Sequence, residues 1–96
     1  MFEDEPLPEI LEAEWAHDQV MALFADLAAG ADVQHVQLRT PEGDGSASLA
    51  DAEAAFATGR ARAIQVRYVF ESEKWCDTIM PGDPTTKIIR NRVPGG

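Results

Sequence analysis

The strongest constraint on the fold is a run of strict alternation in the second half of the chain. Between Arg62 and Phe70, Ile64, Val66, Tyr68 and Phe70 share one parity, and Ala63, Gln65, Arg67 and Val69 share the other. Successive side chains on a strand point to opposite faces, so this segment reads as a strand with one buried face. A polar turn, Glu71-Ser72-Glu73-Lys74, leads into a second strand from Trp75 to Met80. Pro81-Gly82-Asp83-Pro84 is the next turn, because a strand interior rejects residues without an N–H to give to the ladder. Thr85 to Val93, β-branched and basic, is the third strand. Strands joined by turns this short form an antiparallel meander.

A turn centred on Ser72-Glu73 places Phe70 opposite Trp75, Tyr68 opposite Asp77 and Val66 opposite Ile79. All six then lie on one side, which is the expected core face. Asp77 is the anomaly on that face. A buried carboxylate needs a partner; Tyr68 directly across offers a hydroxyl, and Arg90 or Arg92 on the last strand offers charge. Ile88 and Ile89 are adjacent, so only one of them points inward.

The first half reads as helical. Pro8 and Glu9 suit a first turn, and Ile10, Val20, Leu23, Phe24 and Leu27 mark an apolar stripe to about Ala29, with Gly30 as a C-cap. Val33 to Arg39 alternates as a strand, and TPEGDGS, Thr40 to Ser46, reads as a loop. Ser48 and Asp51 resemble a capping box opening a short helix with Leu49, Ala52 and Phe56, closed by Gly59. The order α-β-α-β-β-β implies an α+β fold: a four-stranded mixed sheet with a C-terminal antiparallel meander and both helices on one face. A parallel crossover around the second helix would be right-handed. Ninety-six residues suit one domain, expected over 8–93, with a flexible acidic tail at 1–7 and a flexible tail at 94–96.

Charge is unevenly placed. Residues 1–58 hold thirteen Asp/Glu against one Arg, and residues 59–96 hold seven Lys/Arg against four Asp/Glu, within a net charge of −9. An acidic chain is repelled by phosphate backbones, which argues against general nucleic-acid binding. Two arrangements fit the asymmetry: acidic helices neutralising basic strands, or a charged surface for a partner. The N-terminus has neither the basic nor the apolar part of a secretory signal. The stretch Val20 to Ala29 is interrupted by Asp26 and too short to span a bilayer. The expected setting is cytoplasmic, with no membrane contact. With Cys76 as the one cysteine, neither an intrachain disulfide nor a cysteine zinc site can form.

The candidate ligand-binding residues are Asp77, Tyr68, Trp75 and Arg90, against a plainer reading in which they are a satisfied polar group near a sheet end. Trp15 falls off the main helical stripe and is the candidate interface anchor. Glu14, His17 and Asp18, at i, i+3 and i+4, share one face of the first helix and could contribute metal ligands, but acidic helices produce this spacing by chance; no metal site is expected. Cys76 lies on the outer face, where Lys74 and Arg67 would lower its pKa modestly. Arg60, Arg62, Arg67, Arg90 and Arg92 form at most a partial basic stripe, because Arg62 and Arg67 differ in parity. No cofactor loop is present: no Gly-Lys-Ser/Thr follows the glycines of PEGDGS.

Two resemblances complete the reading. The C-terminal Gly95-Gly96 resembles the activated tail of ubiquitin-like modifiers and small sulfur-carrier proteins, which implies a carrier role. Pro94 and the helix-first order depart from those families, whose β-grasp fold opens with a hairpin. The stretch Gln65-Val66-Arg67-Tyr68 with Trp75-Cys76-Asp77-Thr78 is similar to a run in small uncharacterised bacterial proteins, which implies no activity. The expectation is a small non-catalytic binding or accessory protein working through protein contacts or self-association. The alternatives are a ligand or catalytic site around Asp77, and a carrier.

Overall fold

The computed structural model describes residues 10–93. Among them six strands form one antiparallel sheet and two helices pack on it. The order along the chain is β1 (Ile10–Trp15), α1 (His17–Gly30), β2 (Asp32–Thr40), β3 (Gly43–Ser46), α2 (Leu49–Ala57), β4 (Ala63–Phe70), β5 (Glu73–Met80) and β6 (Thr86–Arg92). Across the sheet the order is β1-β6-β5-β4-β2-β3. The α+β class and the meander β4-β5-β6 agree with the sequence. The four-stranded mixed sheet does not: every pairing is antiparallel, and no crossover between parallel neighbours arises.

Both additional strands come from segments that looked like something else. Ile10–Trp15 was expected as the first turns of a helix beginning at Pro8, yet it pairs with the last strand, Leu11 opposite Arg90 and Trp15 opposite Thr86. Its Leu, Glu and Ala residues favour helix intrinsically, but they gain more from completing a sheet beside β6. Gly43–Ser46 was expected as loop and pairs with Gln37–Thr40. The helix therefore starts at His17, where the Gln19 side chain accepts from the Ala16 N–H at 2.8 Å. Gly30 is its last residue, not its cap. Ser48 caps α2 as expected, accepting from the Asp51 N–H at 3.0 Å. Pro8, both expected tails and the Gly95-Gly96 pair lie outside the described residues.

One face of the sheet carries the core. Ile64, Val66 and Tyr68 of β4, Ile79 of β5, Ile88 of β6 and Val36 of β2 are buried against Val20, Leu23, Phe24 and Leu27 of α1 and Ala52, Ala55 and Phe56 of α2. Ile88 points in and Ile89 out, by the parity of β6. The register of the first hairpin differs from expectation by two residues. Phe70 faces Glu73, Tyr68 faces Trp75, Val66 faces Asp77 and Ile64 faces Ile79. The turn is the two-residue Glu71-Ser72, both with positive φ (52° and 69°), whose twist suits a tight hairpin. A slip of two preserves parity, so every inward residue remains inward.

The helices do not cover this face evenly. At one end of the sheet, His17 at the start of α1 stacks on Phe56 of α2, with ring centroids 4.9 Å apart. At the other end, Gly30 closes α1 beside the Phe70 ring, where a Cβ added to the glycine would lie 3.9 Å from Cε1. Thus α1 runs obliquely from the β1–β6 side to the tip of the β4–β5 hairpin. Among the described residues, nothing covers the corner of the same face bounded by Leu11, Arg90, Arg92, Trp75 and Phe70; Leu11 is 48% and Phe70 44% exposed. No described helix is long and apolar enough to cross a membrane.

Candidate functional site

The open corner is built on Asp77. Its side chain is fully buried, which for a lone carboxylate would be costly. Three donors meet it. Arg90, directly opposite on β6, donates from Nε to Oδ1 and from Nη2 to Oδ2, both at 2.8 Å. The Tyr68 hydroxyl donates to Oδ1 at 3.1 Å from one step diagonally along β4. A two-pronged guanidinium–carboxylate pair fixes both partners in position as well as in charge. The Arg90 side chain is 34% exposed, while the carboxylate that holds it is fully buried.

The same cluster sets the ionisation of its members. Burial, and then the charge of Asp77, push the Tyr68 phenol well above its ordinary value of 10.0. The hydrogen bonds to Asp77 raise Arg90, outweighing the effect of its burial. Both groups are therefore held in their ordinary neutral-pH forms. Arg90 also stands over the Tyr68 ring, 6.0 Å from its centroid.

Beyond this cluster lies a bowl of about 250 Å3 lined by Tyr68, Phe70, Glu71, Glu73, Trp75 and Arg90. Three of the four residues expected to gather, Tyr68, Trp75 and Arg90, line it together. Asp77 sits beneath, holding Arg90 and Tyr68. Phe70, Glu71 and Glu73 were not singled out from the sequence. Parity places Phe70 inward, but the two-residue error in the turn hid that Glu73 stands across from it. Arg92 donates to Glu73 at 3.2 Å.

The remaining candidates are dispersed. Trp15 ends β1 near the far end of the sheet, half-buried against the core and opposite Thr86. Glu14 belongs to β1 and accepts from the Thr85 hydroxyl at 2.7 Å, while His17 packs on Phe56; the supposed helix-face trio does not exist. No metal-binding cluster occurs among the described residues. Cys76 is on the outer face but buried, and burial raises its thiol, with Arg67 opposing only in part.

Charge neutralisation also differs from the simplest expectation. Arg39 pairs with Asp44, Arg60 with Glu42, Lys87 with Glu12, Arg90 with Asp77 and Arg92 with Glu73. None of these carboxylates is on a helix. Among the described residues, Asp18 and Asp26 of α1 and Asp51 and Glu53 of α2 have no cationic partner. Comparison with protein-family models, curated proteins and solved structures finds no match to the chain.

Proposed function

We propose that this chain is a non-catalytic accessory domain that works by protein contact, taking a partner strand along the outer edge of β1. The observation that carries this reading is the edge itself. Among the described residues, β1 is a terminal strand of the sheet, six residues long, and pairs on one side only. An unpaired strand edge offers a row of N–H and C=O groups to another chain. The opposite edge, β3, is only Gly43–Ser46 and a poorer template.

The side chains of β1 specify the partner. Glu12 and Glu14 project to the outer face; Leu11, Ala13 and Trp15 project to the helix face, with Trp15 as the apolar end of the edge. A second copy paired antiparallel about Ala13 would set each Glu12 opposite a Glu14. Like charges directly opposed weaken a ladder, so a partner alternating Lys or Arg with apolar residues suits the edge better than self-association. The unpaired carboxylates of both helices add to the attraction.

Titration with such a basic, alternating peptide, followed by amide NMR, should perturb β1 most and be abolished by the double substitution Glu12→Lys and Glu14→Lys. Sedimentation at neutral pH should give a monomer. A tight dimer, or no shift in β1 at any peptide concentration, would overturn this reading.

A second reading is favoured by the bowl beside Asp77: a small-ligand site walled by Tyr68, Trp75 and Arg90, with Asp77 holding two of the walls in place. Its volume accommodates one small organic group.

A further inference from the structure

The bowl at the open corner combines ring faces with carboxylates. Tyr68 and Trp75 are directly opposed, and Phe70 lies two residues along from Tyr68 on the same face. Aromatic faces are negative at their centres and attract organic cations. The polar lining strengthens this preference. Arg90 is neutralised by Asp77 and Arg92 by Glu73. Glu71, in the turn, has no cationic partner among the described residues. The local balance is therefore negative, and the whole chain, at −9, adds an attractive field for cations. A bare metal ion is a poor fit, because the described residues gather no cluster of three or more metal-ligating side chains here.

We propose that this bowl binds an aliphatic ammonium or guanidinium group, held against Phe70 and Trp75 with Glu71 and Glu73 at the rim. Asp77 is a positioning residue: its hydrogen bonds hold the Arg90 guanidinium toward the sheet, over the Tyr68 ring, and fix the Tyr68 hydroxyl. The inference rests on the small-ligand reading and adds the ligand's class. A free amine and a Lys or Arg side chain of a partner share this chemistry.

Three probes with nearly the same shape separate the possibilities: choline, its uncharged carbon isostere tert-butylethanol, and the anionic tert-butylacetic acid. Each is titrated into the intact protein, and the indole N–H resonances of Trp75 and Trp15 are followed. Choline should shift Trp75 saturably and leave Trp15 unmoved, with affinity about five- to ten-fold above the neutral isostere. Phe70→Leu, which keeps an apolar side chain but loses the ring, should remove most of that difference, and Glu71→Gln should reduce it. An N-acetyl-arginine amide that matches choline at Trp75 points to a side-chain source; choline binding alone points to a free organic ammonium. Equal binding of choline and the neutral isostere would overturn the cation class and leave a ligand site standing. Preferential binding of the carboxylate would overturn it in favour of Arg90 as an anion anchor. No saturable shift from any probe would overturn both the class and the small-ligand reading.

Discussion

The same three strands, β4, β5 and β6, run beneath the helices at one end and beyond them at the other, and they change composition on the way. Under the helices the inward residues are Ile64, Ile79, Ile88 and Thr86, all β-branched and buried. Past the helices they are Phe70, Trp75, Glu73, Arg90 and Arg92, with Tyr68 still buried at the boundary. Covered positions reward shape alone, because every atom meets another atom. Positions half in water reward side chains with an apolar body and a polar tip, or with a ring that tolerates partial exposure. Asp77 lies on the boundary, fully buried but reached by a partly exposed arginine. The difference follows the exposure of each position among the described residues.

That contrast can be broken from the boundary outward. Asp77→Ala should have the largest effect, roughly 3–4 kcal/mol by urea denaturation, because it strands Arg90 and the Tyr68 hydroxyl. The partial exposure of Arg90 keeps the loss toward the lower part of that range. Ile79→Ala, in the covered region, should cost about 3 kcal/mol through the cavity it leaves. Tyr68→Phe removes one hydrogen bond to a charged, buried acceptor and should cost about 1.5 kcal/mol. Phe70→Leu, in the open corner, should change stability by less than about 0.5 kcal/mol. A loss at Phe70 as large as that at Ile79 would mean that the corner is ordinary core.

Tyr68 also supplies a pH test. It is the chain's one tyrosine, so its ultraviolet titration reports this site alone. Its folded pKa is raised, so the stabilisation from keeping the phenol neutral is fully present below about pH 10, its unfolded value, and is lost as pH rises through the folded value. The phenol should resist ionisation above about pH 10 in the native protein, titrate normally in denaturant, and share its native transition with alkaline unfolding. A native titration at the ordinary value would show that Asp77 and burial do not govern the group.

The meander was legible because its alternation is local and strict. Parity named the inward residues correctly, and with them the company of Asp77, since a period of two survives a slip of two. The slip itself was not legible. Glu71 and Ser72 adopt positive φ without the glycine or asparagine that usually announces such a turn. β1 was hidden for a different reason: Ile10–Trp15 is made of residues that favour helix, and its strand state depends on a partner some 70 residues away, as with Thr86 opposite Trp15. β3 carries no apolar side chain and so had no pattern to read. The candidate site was half visible. Tyr68, Trp75, Asp77 and Arg90 followed from alternation and charge, whereas Phe70, Glu71 and Glu73 needed the true turn. The openness of the corner depends on the oblique path of α1, which no local pattern encodes.

The pairing of β1 with β6 bears on how the chain is made. β1 precedes all the other described strands, and among them its neighbour is the last. During synthesis it must wait, unpaired, until the meander is finished, and the long loop closed by that step is costly to form early. Leu11 and Trp15 would be hazardous in such a wait, because bare apolar strands recruit one another. Glu12 and Glu14, interleaved with them, make two nascent copies repel. Carboxylates alternating with apolar residues on this edge oppose the self-pairing that its apolar residues would favour.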